Sequence, residues 1–156
     1  MPRQPFEVEM DDISKARCLT LRMILQEVYK TLGKGYPESV YQRAIAVELQ
    51  QHRIVFDMEV TMGIPYKGHT VGQVRADIIL RDAVPCVIET KATAAALKPE
   101  ERWQLSRYMK ILEIPLGVLV NFPQVQSATA AQIEFLVLID GEVYVFDINT
   151  DEVSEL

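Results

Sequence analysis

The order of segments in this sequence predicts an α/β (α+β) domain with a mixed central β-sheet flanked by helices. Three observations carry that expectation. Residues 12–52 place apolar side chains at helical spacing in two segments. Residues 53–92 alternate well enough to be strands. After a third helical segment, apolar runs resume, and two of them flank Asp140-Gly141, a strong hairpin signal.

In "DDISKARCLTLRMILQEVYKTLG", Leu21, Ile24, Leu25, Val28 and Leu32 recur at helical spacing. Acids near the start and Gly33 at the end predict a helix over 12–32. "GKGYPES" is a break. "ESVYQRAIAVELQQH" predicts a second helix with Pro37 in its first turn and an apolar face of Val40, Tyr41, Ala44, Ile45, Val47 and Leu49. "RIVFDMEVTMGIPYKGHTVGQVRADIILRD" reads as strands turning at Gly68, and "VPCVIETKA" as the next strand. "LKPEERWQLSRYMKILEI" is a helix with Pro99 near its first position. "PLGVLVNF" is a buried strand, "QVQSATAA" a loop or short helix, and "QIEFLVLIDGEVYVFDI" a closing hairpin. That hairpin extends the sheet or forms a dimer contact. The expected order is α-α-β-β-β-α-β-β-β. It forms one domain over 1–156, with a core of about 12–123 and a hairpin extension of about 124–156.

The 156 residues are 49% hydrophobic and 24% charged, the balance of a globular domain large enough to bury its own core. No run reaches the roughly 18 apolar residues of a membrane span, and the first residues lack the apolar core of a signal peptide. A cytoplasmic protein is the expectation. Cys18 and Cys86 belong to no CxxC, and His52 and His69 lie at no zinc-ligand spacing, so free thiols are expected and a structural zinc is not. The net charge of −6 is unevenly spread. Residues 1–110 carry all 16 Lys and Arg against 14 acids, whereas residues 111–156 carry 8 acids and no Lys or Arg. Nucleic acid is therefore expected to avoid the C-terminal hairpin.

Asp77 is the one acid inside an otherwise apolar strand, and Glu89 and Lys91 share a face at the end of the next. If those strands pair, two carboxylates converge beside an amine. Such an oxygen-rich pair suits a hard divalent ion, and a lysine beside it can orient or help deprotonate an attacking water. That is the equipment of metal-assisted phosphodiester hydrolysis. Taken singly, each residue has an ordinary reading: Glu89 and Lys91 as a surface pair of little energetic weight, Asp77 as a turn cap.

Asp77, eleven residues, then Glu89-Thr90-Lys91 resembles the PD-(D/E)xK nuclease core. Gly35-x-x-Glu38-x-x-Tyr41 is the signature of the GxxExxY proteins, and "VGQVRAD", with Gly72 and Arg75 ahead of Asp77, matches the same group. Gln104-x-x-x-Tyr108 is similar to a helix motif of the phage-exonuclease and recombination-nuclease branch, and "LGVLVNF" to the strand after it. The resemblance spans about residues 20 to 123. It implies a restriction-endonuclease-like core and a Mg²⁺- or Mn²⁺-dependent nuclease acting on DNA. Asp77, Glu89 and the Thr90 carbonyl would ligate the metal and Lys91 would position the water. Glu38 would reach the site directly or through a water, and Gln104 and Tyr108 would support Lys91 or contact the scissile phosphate.

The chain departs from the family in two places. Tyr29 stands where many members carry a His. Thr90 stands where an aliphatic residue is usual, with its side chain expected to face away from the site. Arg75 is expected to pair with Glu38 or Glu89 or to bind phosphate. Arg102, Arg107 and Lys110 give the third helix a basic side that is either solvated or a phosphate contact. Tyr41 reads as a packing residue whose hydroxyl braces Glu38, Gly35 as a turn, and Trp103 as a core or interface residue. A catalytically silent nuclease-fold binding module and a metal-dependent hydrolase of a small phosphoester remain alternatives. A deep closed pocket would mark the latter, and an open basic groove would mark nucleic acid.

Overall fold

Asp11 and Gly33 bracket the first helix in the computed structural model, which describes residues 6–7 and 9–156. The Ser14 N–H donates to Asp11 Oδ1 at 2.8 Å, and Gly33, at φ 69°, returns its N–H to Tyr29 O at 2.7 Å. These two caps set α1 at Asp12–Leu32. Helix α2 (Glu38–Gln51) starts one residue after the expected proline. Pro37 takes an extended ψ of 154° and sits at the cap rather than in the first turn. Val47, expected on the buried face, is 51% exposed, because Tyr41, Gln42, Ile45 and Leu49 already fill the stripe that meets the sheet. Helix α3 (Pro99–Leu112) begins with Pro99 at its first position, where a missing N–H costs nothing, and with Glu101 accepting from the Lys98 N–H at 2.9 Å.

The strands are β1 (Phe6–Glu7), β2 (Phe56–Tyr66), β3 (His69–Leu80), β4 (Cys86–Lys91), β5 (Leu116–Asn121), β6 (Gln132–Ile139), β7 (Glu142–Asp147) and β8 (Glu152–Ser154). They form one mixed sheet in the order β1-β8-β7-β6-β5-β4-β3-β2. Only β4 and β5 run parallel, joined through α3; the remaining pairs are antiparallel. The short β1 and β8 were not foreseen, since strands of two and three residues carry no readable alternation. The C-terminal hairpin turns at Asp140 and Gly141, both with positive φ, as a two-residue turn requires. It extends the sheet: β6 pairs with β5 and β7 with β8, so neither strand is an open edge for a second chain.

Helices α1 and α2 cover one face of the sheet, packing on Ile78, Leu80, Ile88, Val118, Val120 and Phe122. Helix α3 covers the other, with Leu105, Tyr108 and Met109 on Ile79, Val87 and Leu119. The central strands β4 and β5 are therefore buried on both sides, all but Lys91. Gly117 lets α3 approach: a Cβ there would lie 2.5 Å from Met109 Sδ and 3.2 Å from Leu105 Cδ2. Both cysteines are free and buried, and burial raises their thiol pKa values, that of Cys18 to about 12. No helix among the described residues is long and apolar enough to cross a membrane.

Candidate active site

The sheet opens into a fork at the end of β4. Strands β3 and β4 pair from Leu80↔Cys86 to Ile78↔Ile88 and no further. Beyond that point the β2–β3 ribbon rolls over. Met58, Ile78 and Leu80 pack toward α1 and α2, but Val60, Met62, Val74 and Ala76 pack toward α3, although strict alternation would keep all the even positions together. Glu59 has φ 54° at the crossover, and Asp77 sits opposite it between Ile78 and Ala76. The peeling frees donors that a longer ladder would have used. The Asp77 N–H donates to Glu89 Oε1 at 3.0 Å, and the Thr90 N–H donates to Asp77 Oδ2 at 2.8 Å.

Thr90 is where expectation and structure part. Alternation does place it on the face of Ile88, opposite Glu89 and Lys91, yet its side chain does not leave the site. Asp77 turns over the lip of the fork, so the Thr90 hydroxyl donates to Asp77 Oδ2 at 3.0 Å. The hydroxyl accepts from Gln42 Nε2 at 2.9 Å, and Gln42 Nε2 also donates to Glu38 Oε1 at 3.1 Å. Glu38 Oε1 lies 3.4 Å from Thr90 Oγ1. Thus Glu38, at the first turn of α2, reaches the fork through Gln42 and Thr90. Sequence reasoning missed Gln42. Its position four residues after Glu38, on the same helical face, was the available signal.

The other motif residues hold α2 in place. Gly35, at φ 106°, makes the turn that a side chain would strain, and its N–H donates to Gln124 Oε1 at 2.7 Å. Tyr41 is fully buried, its ring stacked on Phe122 at 4.5 Å. Its hydroxyl does not brace Glu38. It donates to Gly33 O at 2.7 Å and accepts from Gln124 Nε2 at 3.1 Å. The motif side chain is drawn down to the core and only Glu38 faces the fork. Tyr29, where a His was usual, donates to Pro123 O and packs on Phe122.

On the opposite face, Gln104 Nε2 donates to the Tyr108 hydroxyl at 2.9 Å, which confirms the one-turn pairing of these residues. Asn121, wholly buried beside Lys91 in the β4–β5 register, donates to Thr93 O and Ala95 O and accepts from the Thr93 N–H. It pins the chain that leaves Lys91, a role no sequence pattern announced.

The charges in the fork are unbalanced. Burial, then the charge of Asp77, pushes the Glu89 carboxyl up to about 8. The same two causes raise Glu38, and Lys91 opposes the rise in both. Burial and the charge of Glu89 raise Tyr108. Asp77 and Glu89 each spend one oxygen within the chain, leaving Oδ1 and Oε2 without a hydrogen bond among the described residues. Among the described residues no three His, Cys, Asp or Glu side chains are grouped closely enough to hold a metal by themselves. The two carboxylates are hard oxygen donors, of the kind that suits a divalent ion.

The expected phosphate contacts divide. Arg102 is committed to Glu134 in a bidentate pair at 2.6 and 2.7 Å, so it is a structural residue. Lys110 lies 3.9 Å from Glu142 and is half exposed. Arg75 and Arg107 are exposed with no ion pair among the described residues, so Arg75 pairs with neither Glu38 nor Glu89. Trp103 is 47% exposed and is not a core residue.

A mixed sheet between helices, with an Asp and a Glu at the fork of two paired strands and a Lys two residues on, defines a restriction-endonuclease-like fold. The PD-(D/E)XK nuclease superfamily matches residues 18–133, and the chain belongs to that superfamily. The crystal structure of SSO0001 is similar over 62% of this chain and 48% of that one, at 20% identity and a TM-score of 0.47. No curated protein matches.

Proposed function

We propose that the protein is a GxxExxY-type, divalent-metal-dependent nuclease that hydrolyses DNA phosphodiester bonds. The observation that carries this reading is the fork itself, where Asp77 and Glu89 are held together at the ends of β3 and β4 and the charge of Lys91 acts on both Glu38 and Glu89. Asp77, Glu89 and the Thr90 carbonyl would hold Mg²⁺ or Mn²⁺. When bound, such an ion supplies positive charge that stabilises the phosphate as it is attacked. The Lys91 ammonium orients a water with its N–H donors. Glu38, partly buried and raised in pKa, is suited to accept a proton through that water. Gln104 holds the Tyr108 hydroxyl beside Glu89, where it can donate to a phosphate oxygen. The cavity beside the fork is a groove lined by Arg107 and Lys110, which favours nucleic acid over a small phosphoester.

The test uses end-labelled single- and double-stranded DNA with Mg²⁺, Mn²⁺ or EDTA. Asp77→Ala, Glu89→Ala and Lys91→Ala are each expected to lower metal-dependent cleavage by about two to four orders of magnitude while remaining folded. Undiminished cleavage in all three variants would sink the mechanism. Absence of cleavage by the wild type under every condition would transfer the reading to a silent binding module.

A further inference from the structure

Beyond Gln104 and Tyr108, helix α3 carries a surface that the chemistry of the fork does not use. A cavity of ≈ 360 Å³ lies between it and the β2–β3 hairpin, within the range of about 300–1,000 Å³ typical of ligand sites. Ile64, Pro65, Val74 and Ile111 give it apolar walls, and Gln104 and Tyr108 form the part nearest the fork. The exposed Arg107 and Lys110 line the same groove. One turn before Arg107, Trp103 shares that face of the helix and stands 47% exposed. Cations interleaved with an aromatic ring and apolar walls, continuous with the candidate active site, match the chemistry of a flexible polyanion whose bases are free to stack.

We propose that this groove binds single-stranded DNA, seating an unpaired base beside the scissile phosphate, with Arg107 and Lys110 on flanking phosphates and Trp103 stacked on a neighbouring base. The proposal rests on the nuclease reading and names its substrate class. A duplex keeps its base faces stacked inside and can offer a protein surface only phosphates and groove edges. An apolar wall and an exposed indole gain nothing from that. An unpaired strand offers both charge and base face to one groove. Arg107 has no ion pair among the described residues, and Lys110, 3.9 Å from Glu142, stays half exposed, so both cations can turn to a polyanion.

Binding is measured by fluorescence anisotropy in EDTA with a labelled dT20 strand, a duplex of equal length and a U20 strand. The expected result is at least tenfold tighter binding of dT20 than of duplex. Trp103→Ala is expected to weaken dT20 about tenfold and leave duplex unchanged. Arg107→Ala with Lys110→Ala is expected to reduce the slope of log affinity against log salt by about 1.4, close to the release of two counterions from a single strand. All three residues are exposed, so the variants keep the core intact, which thermal melting checks. Duplex bound as tightly as single strand, RNA bound tighter than DNA, or dT20 affinity indifferent to both variants would overturn the proposal. Cleavage read in parallel separates the two readings. Metal-dependent cutting with duplex preference defeats this inference and leaves the nuclease. Binding of dT20 that tracks α3, with no cutting, does the reverse.

Discussion

The β3–β4 pair carries charge at both ends and treats it in opposite ways. At the turn end, Asp82 meets Arg17 of α1 in a bidentate pair at 2.8 and 2.5 Å, and Arg17 also donates to Val84 O at 3.0 Å. The pair lowers the Asp82 pKa and raises that of Arg17, so each ion is held in its charged form. At the fork end, the charges of Asp77 and Lys91 act against each other on Glu38 and Glu89, and Glu89 is pushed up to about 8 by burial and by Asp77. The first end is closed electrostatically and holds α1 to the sheet. The second is left short of positive charge. A deficit of cations in an acidic fork is the condition under which a divalent ion binds.

The largest effect expected from this contrast is on stability with metal. Saturating Mn²⁺, at about 100 times its Kd, adds about 2.7 kcal/mol to a site that binds only when folded. For a chain of this size that raises Tm by about 5–10 °C. Asp77→Ala is expected to abolish the shift, while Asp82→Asn leaves it whole. Differential scanning fluorimetry with and without EDTA decides it, and an equal shift in both variants would erase the distinction between the two ends.

The intermediate effect lies at the closed end. Asp82→Asn is expected to cost about 1–2 kcal/mol near pH 7, between the values for exposed and buried pairs, because both partners are only partly covered. The folded Asp82 carboxyl titrates below its unfolded value of about 3.9, so its stabilisation is complete above that pH and is lost as pH falls through the lower folded value. Urea midpoints of wild type and Asp82→Asn should therefore converge below about pH 4. A gap that persists undiminished into strong acid would show that the pair's charge is not its contribution.

The contrast was only half legible in the sequence. Local chemistry announced much of the fold: Gly33 and Pro99 marked helix ends, Asp140-Gly141 marked the hairpin, and alternation put Glu89 and Lys91 on one face. Nothing local announced the roll of the β2–β3 ribbon, because Glu59 is an ordinary strand residue until the sheet gives it φ 54°. That roll turns Asp77 onto Thr90. The polar hubs were hidden for the same reason. Gln42 shows its four-residue spacing from Glu38, but its bond to Thr90, like those of Asn121 to Ala95 and Gln124 to Gly35, joins positions 26 to 89 apart, which spacing along one helix or strand cannot reveal.

The smallest effect belongs to the Thr90 hydroxyl, and it sharpens the comparison most finely. Thr90→Val keeps the shape of the side chain and removes one donor from Asp77 Oδ2, which still accepts from the Thr90 N–H at 2.8 Å. The carboxylate therefore stays in place but loses one of its two restraints, and Gln42 Nε2 keeps Glu38 as its acceptor. The lost bond runs from a buried hydroxyl to a carboxylate, but Asp77 is partly exposed and keeps its backbone donor, so the loss is worth about 1 kcal/mol. Cleavage is expected to fall no more than about fivefold, with Thr90→Ser restoring it. Because the hydroxyl acts through Asp77, its loss should raise the Mn²⁺ concentration needed for half-maximal activity more than it lowers the rate at saturating metal. A drop confined to the saturated rate would place Thr90 in the chemistry itself rather than behind it.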